Sequence, residues 1–217
     1  MRAEAKHLTI WTSQPRRTGW SWVSRNSVSV LRQLKILALC RFVGALGALC
    51  VPGVRLVGAI QAWALRRMGV RCPGRDVWIG PNFRIDYPHR LSLGHRVVIG
   101  ADSRITARDD VVIGDDFLSA PGLWINTGTH DPVTLVPLSS PITIGPGVWC
   151  GARVTICAGA TIGAGCIVGA GSLVIRDLPE DVIAFGVPAR PQRSVASERR
   201  GQIPWSNFRR AGERGSP

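Results

Sequence analysis

The sequence predicts an all-β solenoid, and three observations carry that reading. Between residues 142 and 175 apolar residues recur every six positions on one register: Ile144, Cys150, Ile156, Ile162, Val168 and Val174. Two residues before each stands a small or branched partner: Ile142, Val148, Val154, Ala160, Cys166 and Ser172. Glycine follows the register residue at Gly145, Gly151, Gly163 and Gly169, with Cys157 and Ile175 as the exceptions. A period of six matches neither the helical period of about 3.6 nor the simple alternation of a lone strand. It matches short parallel strands on three flat faces per coil, one hexapeptide to a face. The register side chains then point inward and stack on their copies about eighteen residues later. Glycine is expected at the corners, to supply left-handed backbone.

The chain of 217 residues is long enough for one substantial domain with terminal additions. Residues 1–27 mix Ser, Thr and Arg with Trp11, Trp20 and Trp22 on no sustained period, and read as a loosely ordered leader. The segment 28–70 is helical in pattern. Val30, Leu31, Leu34, Leu37 and Ala38 recur at spacings of three and four, and Pro52-Gly53 ends that helix. A second helix fits 54–68, with Arg66 and Arg67 in its last turn and Gly69 as its cap. These two α-helices are expected to cover solenoid or neighbouring-subunit surface. A basic element lying on a membrane surface is the alternative.

The solenoid domain occupies 71–193. Its first half slips: Ile79, Ile85 and Leu91 hold one register, and Leu93, Ile99, Ile105 and Val111 hold another displaced by two. Ile113, Ser119 and Ile125 are displaced by two again. Between 126 and 141 the period disappears. A loop that leaves a rigid scaffold with register residues on both sides is a favoured place for function. Residues 194–217, rich in Arg, Gly, Ser and Pro, read as a mobile basic tail.

The formal charge of +13 rests almost wholly on Arg, since only Lys6 and Lys35 are Lys. Nucleic acid, an anionic membrane or a phosphorylated ligand would all suit that balance. No stacked-aromatic platform or known motif supports nucleic acid. Six cysteines, none in a C-x-x-C pair, read as free thiols in a reducing cytoplasm. The apolar stretch 36–51 is interrupted by Arg41 and falls short of the roughly 20 residues a span needs, so no transmembrane helix or cleavable signal is expected.

Four histidines are present, and His130 stands out because it lies in the excursion between Gly128 and Asp131. A neutral imidazole there suits proton abstraction from a hydroxyl, although an ordinary loop histidine has the same spacing. His89 and His95 stand one hexapeptide apart and should diverge on adjacent faces, which argues against zinc and against any metal site.

Four stretches give the domain a family resemblance. They are Asn-Thr-Gly-Thr-His-Asp at 126–131, Pro-Ile-Thr-Ile-Gly-Pro-Gly-Val-Trp-Cys-Gly-Ala at 141–152, Ile-Val-Gly-Ala-Gly-Ser-Leu-Val at 167–174 and Gly-Val-Pro-Ala-Arg at 186–190. The domain resembles the hexapeptide-repeat acyltransferases, nearest the sugar O-acetyltransferases of the galactoside, maltose, nodulation-factor and colanic-acid types. The resemblance implies a left-handed parallel β-helix of hexapeptide repeats, a handedness opposite to ordinary parallel crossovers. It implies acetyl-coenzyme A as acyl donor, a saccharide hydroxyl as acceptor, no metal and a homotrimer with its site between neighbouring subunits. His130 matches the family's catalytic histidine. Trp149 matches a tryptophan near the acyl-transfer centre, and Ala152 and Ala170 match positions along the pantetheine arm. Ile175 and Arg176 match the next contacts, and Arg190 and Arg193 match residues near the nucleotide phosphates. The acceptor region maps onto Ser103 and Asp109 or Asp110, with Asp131 as a further candidate beside the imidazole. A cytoplasmic enzyme, associated with the inner membrane face if the helices touch lipid, is the resulting expectation. N-acylation of an amino sugar and a non-catalytic binding scaffold are the competing readings.

Overall fold

The structure, a computed structural model, describes residues 55–74 and 76–195, the strand Thr9–Ile10, and helical residues at 34, 35, 38, 39, 41–43 and 45. The remainder of the expected leader, of the first expected helix and of the basic tail lies outside the described residues. The second expected helix is present as Arg55–Met68.

From Val77 onward five coils stack into a three-faced prism. The seven-stranded face comprises Val77–Ile79, Val97–Ile99, Leu118–Ser119, Trp149–Cys150, Ile167–Val168 and the closing pair Val182–Gly186 and Ala189–Ser194. A five-stranded face holds Arg84–Asp86, Arg104–Thr106, Trp124–Asn126, Thr155–Cys157 and Leu173–Val174. The four-stranded face holds Leu91–Leu93, Val111–Ile113, Ile142–Ile144 and Thr161–Ile162. Pairing between coils is parallel throughout, and within the three faces only the closing pair is antiparallel.

The inward residues form three continuous stacks. Ile79, Ile99, Ser119, Cys150, Val168 and Ala184 fill one face. Ile85, Ile105, Ile125, Ile156 and Val174 fill the second, and Leu93, Ile113, Ile144 and Ile162 the third. All are buried, and each large aliphatic contributes roughly 1.5–3 kcal/mol of transfer free energy. The helix Arg55–Met68 closes the lower end. The buried Gln61 accepts from Ile79 N at 3.1 Å and donates to Ile79 O and Val43 O at 2.8 Å, so it satisfies the open edge of the first strand.

The slip of two residues now has a location. Ile85 to Ser92 and Ile105 to Val112 each span seven positions, whereas the equivalent Ile156 to Thr161 spans five. The extra residues sit at the corner between the five- and four-stranded faces. The excursion of the third coil departs from that same corner.

The glycine expectation needs correction. Gly145, Gly151, Gly163 and Gly169 have no left-handed backbone. A Cβ on Gly151 would lie 2.6 Å from Ala170 N in the next coil, and one on Gly145 would lie 2.7 Å from Ala164 N. These positions need glycine because the neighbouring backbone comes too close for a side chain. The left-handed residues stand two positions later, at Gly147, Arg153, Gly165 and Gly171, and at Asn82, Arg96, Asp102 and Asp116 in the earlier coils.

Candidate active site

The excursion is a built hairpin. Thr127 is buried at its base, where its hydroxyl accepts from Asp109 N at 2.8 Å and donates to Thr106 O at 3.2 Å. Asn126 Oδ1 accepts from Gly128 N at 3.1 Å, and Ser140 N donates to Thr127 O at 3.0 Å. From this anchor Gly128–His130 pairs antiparallel with Pro137–Ser139, and Thr9–Ile10 adds a third strand on the outer edge. The turn that joins the strands presents Val133, 88% exposed, and Leu135, 71% exposed.

His130 ends the first hairpin strand and is exposed. Asp131 does not serve it. Its Oδ1 accepts from Val133 N at 3.0 Å, Thr134 N at 2.7 Å and Thr134 Oγ1 at 2.9 Å, closing the turn. Those bonds, the Thr134 amide first, hold the Asp131 carboxyl below its ordinary value. Asp131, a candidate of the acceptor region in the sequence, instead closes the turn beyond the imidazole.

The carboxylates below the hairpin are also committed. Asp109 faces Arg90 Nη1 at 3.4 Å and accepts from Ser139 Oγ at 3.3 Å, which ties the hairpin to the second coil. Asp110 pairs with Arg71 at 3.6 Å on the surface. Ser103 lies on a different corner, 1% exposed, donating to Gly100 O at 2.8 Å and accepting from Leu123 N at 3.2 Å. A buried hydroxyl so engaged offers nothing to an acceptor, so Ser103 leaves the candidate site. Arg108, next to the named Asp109, carries no sequence signal of its own. Arg108 is exposed, and its stem lies against Gly128.

The residues matched to the acyl donor fall on more than one edge of the prism. Ile175 and Arg176 are exposed at the corner column from which the His130 hairpin departs. Ala152 and Ala170 stack on the corner between the seven- and five-stranded faces, where Gly171 N donates to Ala152 O at 2.8 Å. Trp149, 41% exposed, points outward from the seven-stranded face. Arg190 and Arg193 are exposed on the last strand, opposite Phe185 and Ile183. A single chain thus brings Ile175 and Arg176 to the histidine's edge and leaves the others on adjoining surfaces.

No group of three His, Cys, Asp or Glu able to hold a metal occurs among the described residues. Cys72, Cys150, Cys157 and Cys166 are free thiols, while Cys40 and Cys50 lie outside the described residues. Desolvation, with the Cys166 thiol nearby, pushes Cys150 up to about 12.

Stacked hexapeptide coils on three faces, with one long excursion that carries an exposed histidine, place the chain in the class of parallel β-helices. The family described as bacterial transferase hexapeptide (six repeats) matches residues 141–176. The putative colanic acid biosynthesis acetyltransferase WcaF of Escherichia coli K12 is 34% identical over 131 residues, 59% of this chain and 71% of that protein. The galactoside O-acetyltransferase of the same organism is 37% identical over 130 residues, 56% of this chain and 63% of its own length, so the match spans less than two thirds of that relative. Among solved structures, a galactoside acetyltransferase in complex with coenzyme A superposes with a TM-score of 0.64 at 26% identity, covering 79% of this chain and 86% of that one. The chain belongs to the hexapeptide-repeat acetyltransferases, and its fold is their left-handed parallel β-helix.

Proposed function

We propose that this protein transfers an acetyl group from acetyl-coenzyme A to a hydroxyl of a saccharide or sugar-bearing intermediate, with His130 as general base. The observation that carries the proposal is the exposed His130 at the end of a hairpin strand, within the Asn-Thr-Gly-Thr-His-Asp segment of an acetyltransferase family. The neutral imidazole takes the acceptor's proton as the hydroxyl oxygen attacks the thioester carbonyl. The tetrahedral oxyanion collapses, the carbon–sulfur bond breaks, and the imidazolium returns the proton to the departing thiolate. Trp149, Ala152, Ala170, Ile175, Arg176, Arg190 and Arg193 are the proposed donor contacts, the arginines suiting the nucleotide phosphates. The family's acetyltransferase names and a relative's complex with coenzyme A support this assignment.

A homotrimer with sites between neighbouring copies is part of the same reading. The outward residues of the seven-stranded face run Trp78, Val98, Leu118, Trp149, Ile167 and Ile183; Val98 is already buried within the chain, and from Leu118 to Ile183 they form a partly exposed apolar column. Such a column is suited to burial against a second copy. The spread of donor contacts over several edges supports the same arrangement. No described helix is long and apolar enough to cross a membrane; a cytoplasmic location, at the inner membrane face if the helices touch lipid, remains a proposal.

A thermal-shift titration with acetyl-coenzyme A, followed by thiol release with hydroxyl and amine acceptors side by side, tests the reading. Stabilisation by the donor and acetyl transfer to oxygen are expected. Transfer only to an amino sugar would make the protein an N-acyltransferase, and the absence of donor binding would leave a non-catalytic scaffold.

A further inference from the structure

We infer that Arg108 is an acceptor-recognition residue, and that it selects a saccharide bearing a negative charge near the hydroxyl presented to His130. The inference rests on the proposed role of His130.

Gly128 and His130 are first and third residues of one hairpin strand, so their side-chain directions lie on the same face of it, separated by roughly 6–7 Å. The Gly128 side of that face is occupied by Arg108. A Cβ built on Gly128 would lie 2.6 Å from Arg108 Cδ and 3.2 Å from Arg108 Nε. The Gly128 backbone is not left-handed. Glycine here leaves room for the arginine stem to lie against the strand, on the face that His130 presents. Arg108 is exposed.

The charges around Arg108 are already matched. Asp109 is held by Arg90 and Ser139, Asp110 by Arg71, and Asp86 by Arg104 at 3.1 Å and by the Thr106 hydroxyl at 3.2 Å. Among the described residues no carboxylate pairs with Arg108. An exposed guanidinium with no carboxylate partner among the described residues, its stem against the strand that carries the base, is suited to a carboxylate or phosphate on the acceptor. The roughly 6–7 Å between strand positions 128 and 130 suits a pyranose hydroxyl and an anionic substituent on the same or the adjoining ring. Of its sequence neighbours, Ala107 is buried and Asp109 turns its carboxylate to Arg90 and Ser139.

The test compares matched acceptors: methyl glucoside against methyl glucuronide, methyl galactoside against methyl galacturonide, and glucose 6-phosphate as the phosphate arm. The wild-type protein should favour the acidic member of a pair, and the arm it favours separates carboxylate from phosphate. In Arg108→Gln the acidic-to-neutral ratio of kcat/KM should fall by roughly ten- to a hundredfold, the range for a hydrogen bond to a charged group. Arg108→Lys should restore part of it. Gly128→Ala, which pushes the arginine stem away from the strand, should lower the same ratio, and the double variant should fall no further. Neutral and acidic pyranosides used equally by wild type, or a KM for acetyl-coenzyme A that rises in Arg108→Gln while the ratio holds, would overturn the inference and leave the acetyltransferase reading intact. Donor binding with no transfer to any pyranoside would overturn the saccharide reading itself, and this inference with it.

Discussion

His130 stands directly across the hairpin ladder from Pro137. The hydrogen-bonded rungs lie on either side of this pair, with Ser140 N donating to Thr127 O at 3.0 Å and Asp131 N to Val136 O at 2.9 Å. The missing proline amide therefore removes no bond to the His130 strand, and Thr127, Asn126 and Ser139 add side-chain bonds at the base. The imidazole therefore sits on a strand anchored at both ends, by the base of the hairpin and by the Asp131 turn beyond it. That arrangement fixes where the ring emerges from the prism without burying it.

The first prediction concerns the base. His130→Ala removes an exposed ring that supports no packing, so the thermal midpoint should stay within the scatter of surface substitutions, about 0.5 kcal/mol in stability. Acetyl transfer should fall by roughly 10²–10⁴ with donor affinity retained. Steady-state kinetics beside a donor titration checks both, and near wild-type turnover would remove His130 from the mechanism.

The second concerns the turn beyond it. Asp131 is held below the ordinary carboxylate value of 3.8 by the Thr134 amide and hydroxyl and the Val133 amide. A depressed carboxylate favours the closed turn above its ordinary pKa, and that contribution is lost as pH falls through the lower folded value. The Asp131 carboxyl carbon, followed by NMR, should therefore titrate below 3.8. Asp131→Asn should leave His130 chemistry in place and loosen the turn, read as faster amide exchange at Val133 and Thr134. A titration at or above the ordinary value would contradict the hydrogen-bonded turn.

The third concerns the core thiol. Cys150 is fully buried in the stack between Ser119 and Val168, and burial raises it from 9.0 to about 12. A raised folded pKa means stability is full below 9.0 and declines as pH climbs toward 12, because the unfolded thiol ionises first. Urea midpoints measured from pH 8 upward should fall less steeply in Cys150→Val than in the natural chain. In the folded protein Cys150 should resist alkylation while the half-buried Cys157 reacts faster. Equal labelling of the two would mean the coil opens there.

Much of the fold was legible because the inward stacks obey a period that no other element shares. Ile144, Ile156, Ile162 and Val174 are buried as their spacing requires. The slipped first half was also visible, but its cause was not. A displacement of two shows that residues were inserted without showing that Tyr87–Arg90 and Ala107–Asp110 widen the corner used by the excursion. His130 was legible as an interruption of the repeat. Ser103 was not excluded, because a serine two positions before a register residue reads the same whether its hydroxyl faces out or caps a corner. Arg108 was missed because its relation to Gly128 crosses a coil, and no local pattern records a contact twenty positions away.

The fourth prediction separates two uses of glycine. Gly151→Ala places a methyl against the Ala170 amide of the next coil, where only backbone could yield, and should cost roughly 1–3 kcal/mol. Gly171 has a φ of +69 and open space around its Cα, so Gly171→Asn should be mild and Gly171→Val, β-branched in left-handed backbone, more damaging. Chemical denaturation of the three variants ranks them. A stable Gly151→Ala would show that the coils can part without cost.

The last prediction tests whether the site is shared. His130 and Arg176 lie on one edge of a chain, while Trp149 projects from another face, as Ala170 does from a third line of corners. If each site joins the His130 edge of one copy to the Trp149 face of the next, His130→Ala and Trp149→Ala disable opposite halves of it. Either variant alone should be impaired at every site. Unfolded together and refolded as a mixture, they should regain activity, since random assembly gives roughly a quarter of the sites one intact half from each copy. Refolding each variant alone controls for the procedure. Activity in the mixture no greater than the mean of the two separate samples would place both residues in the site of a single chain, and the apolar column would then need another occupant.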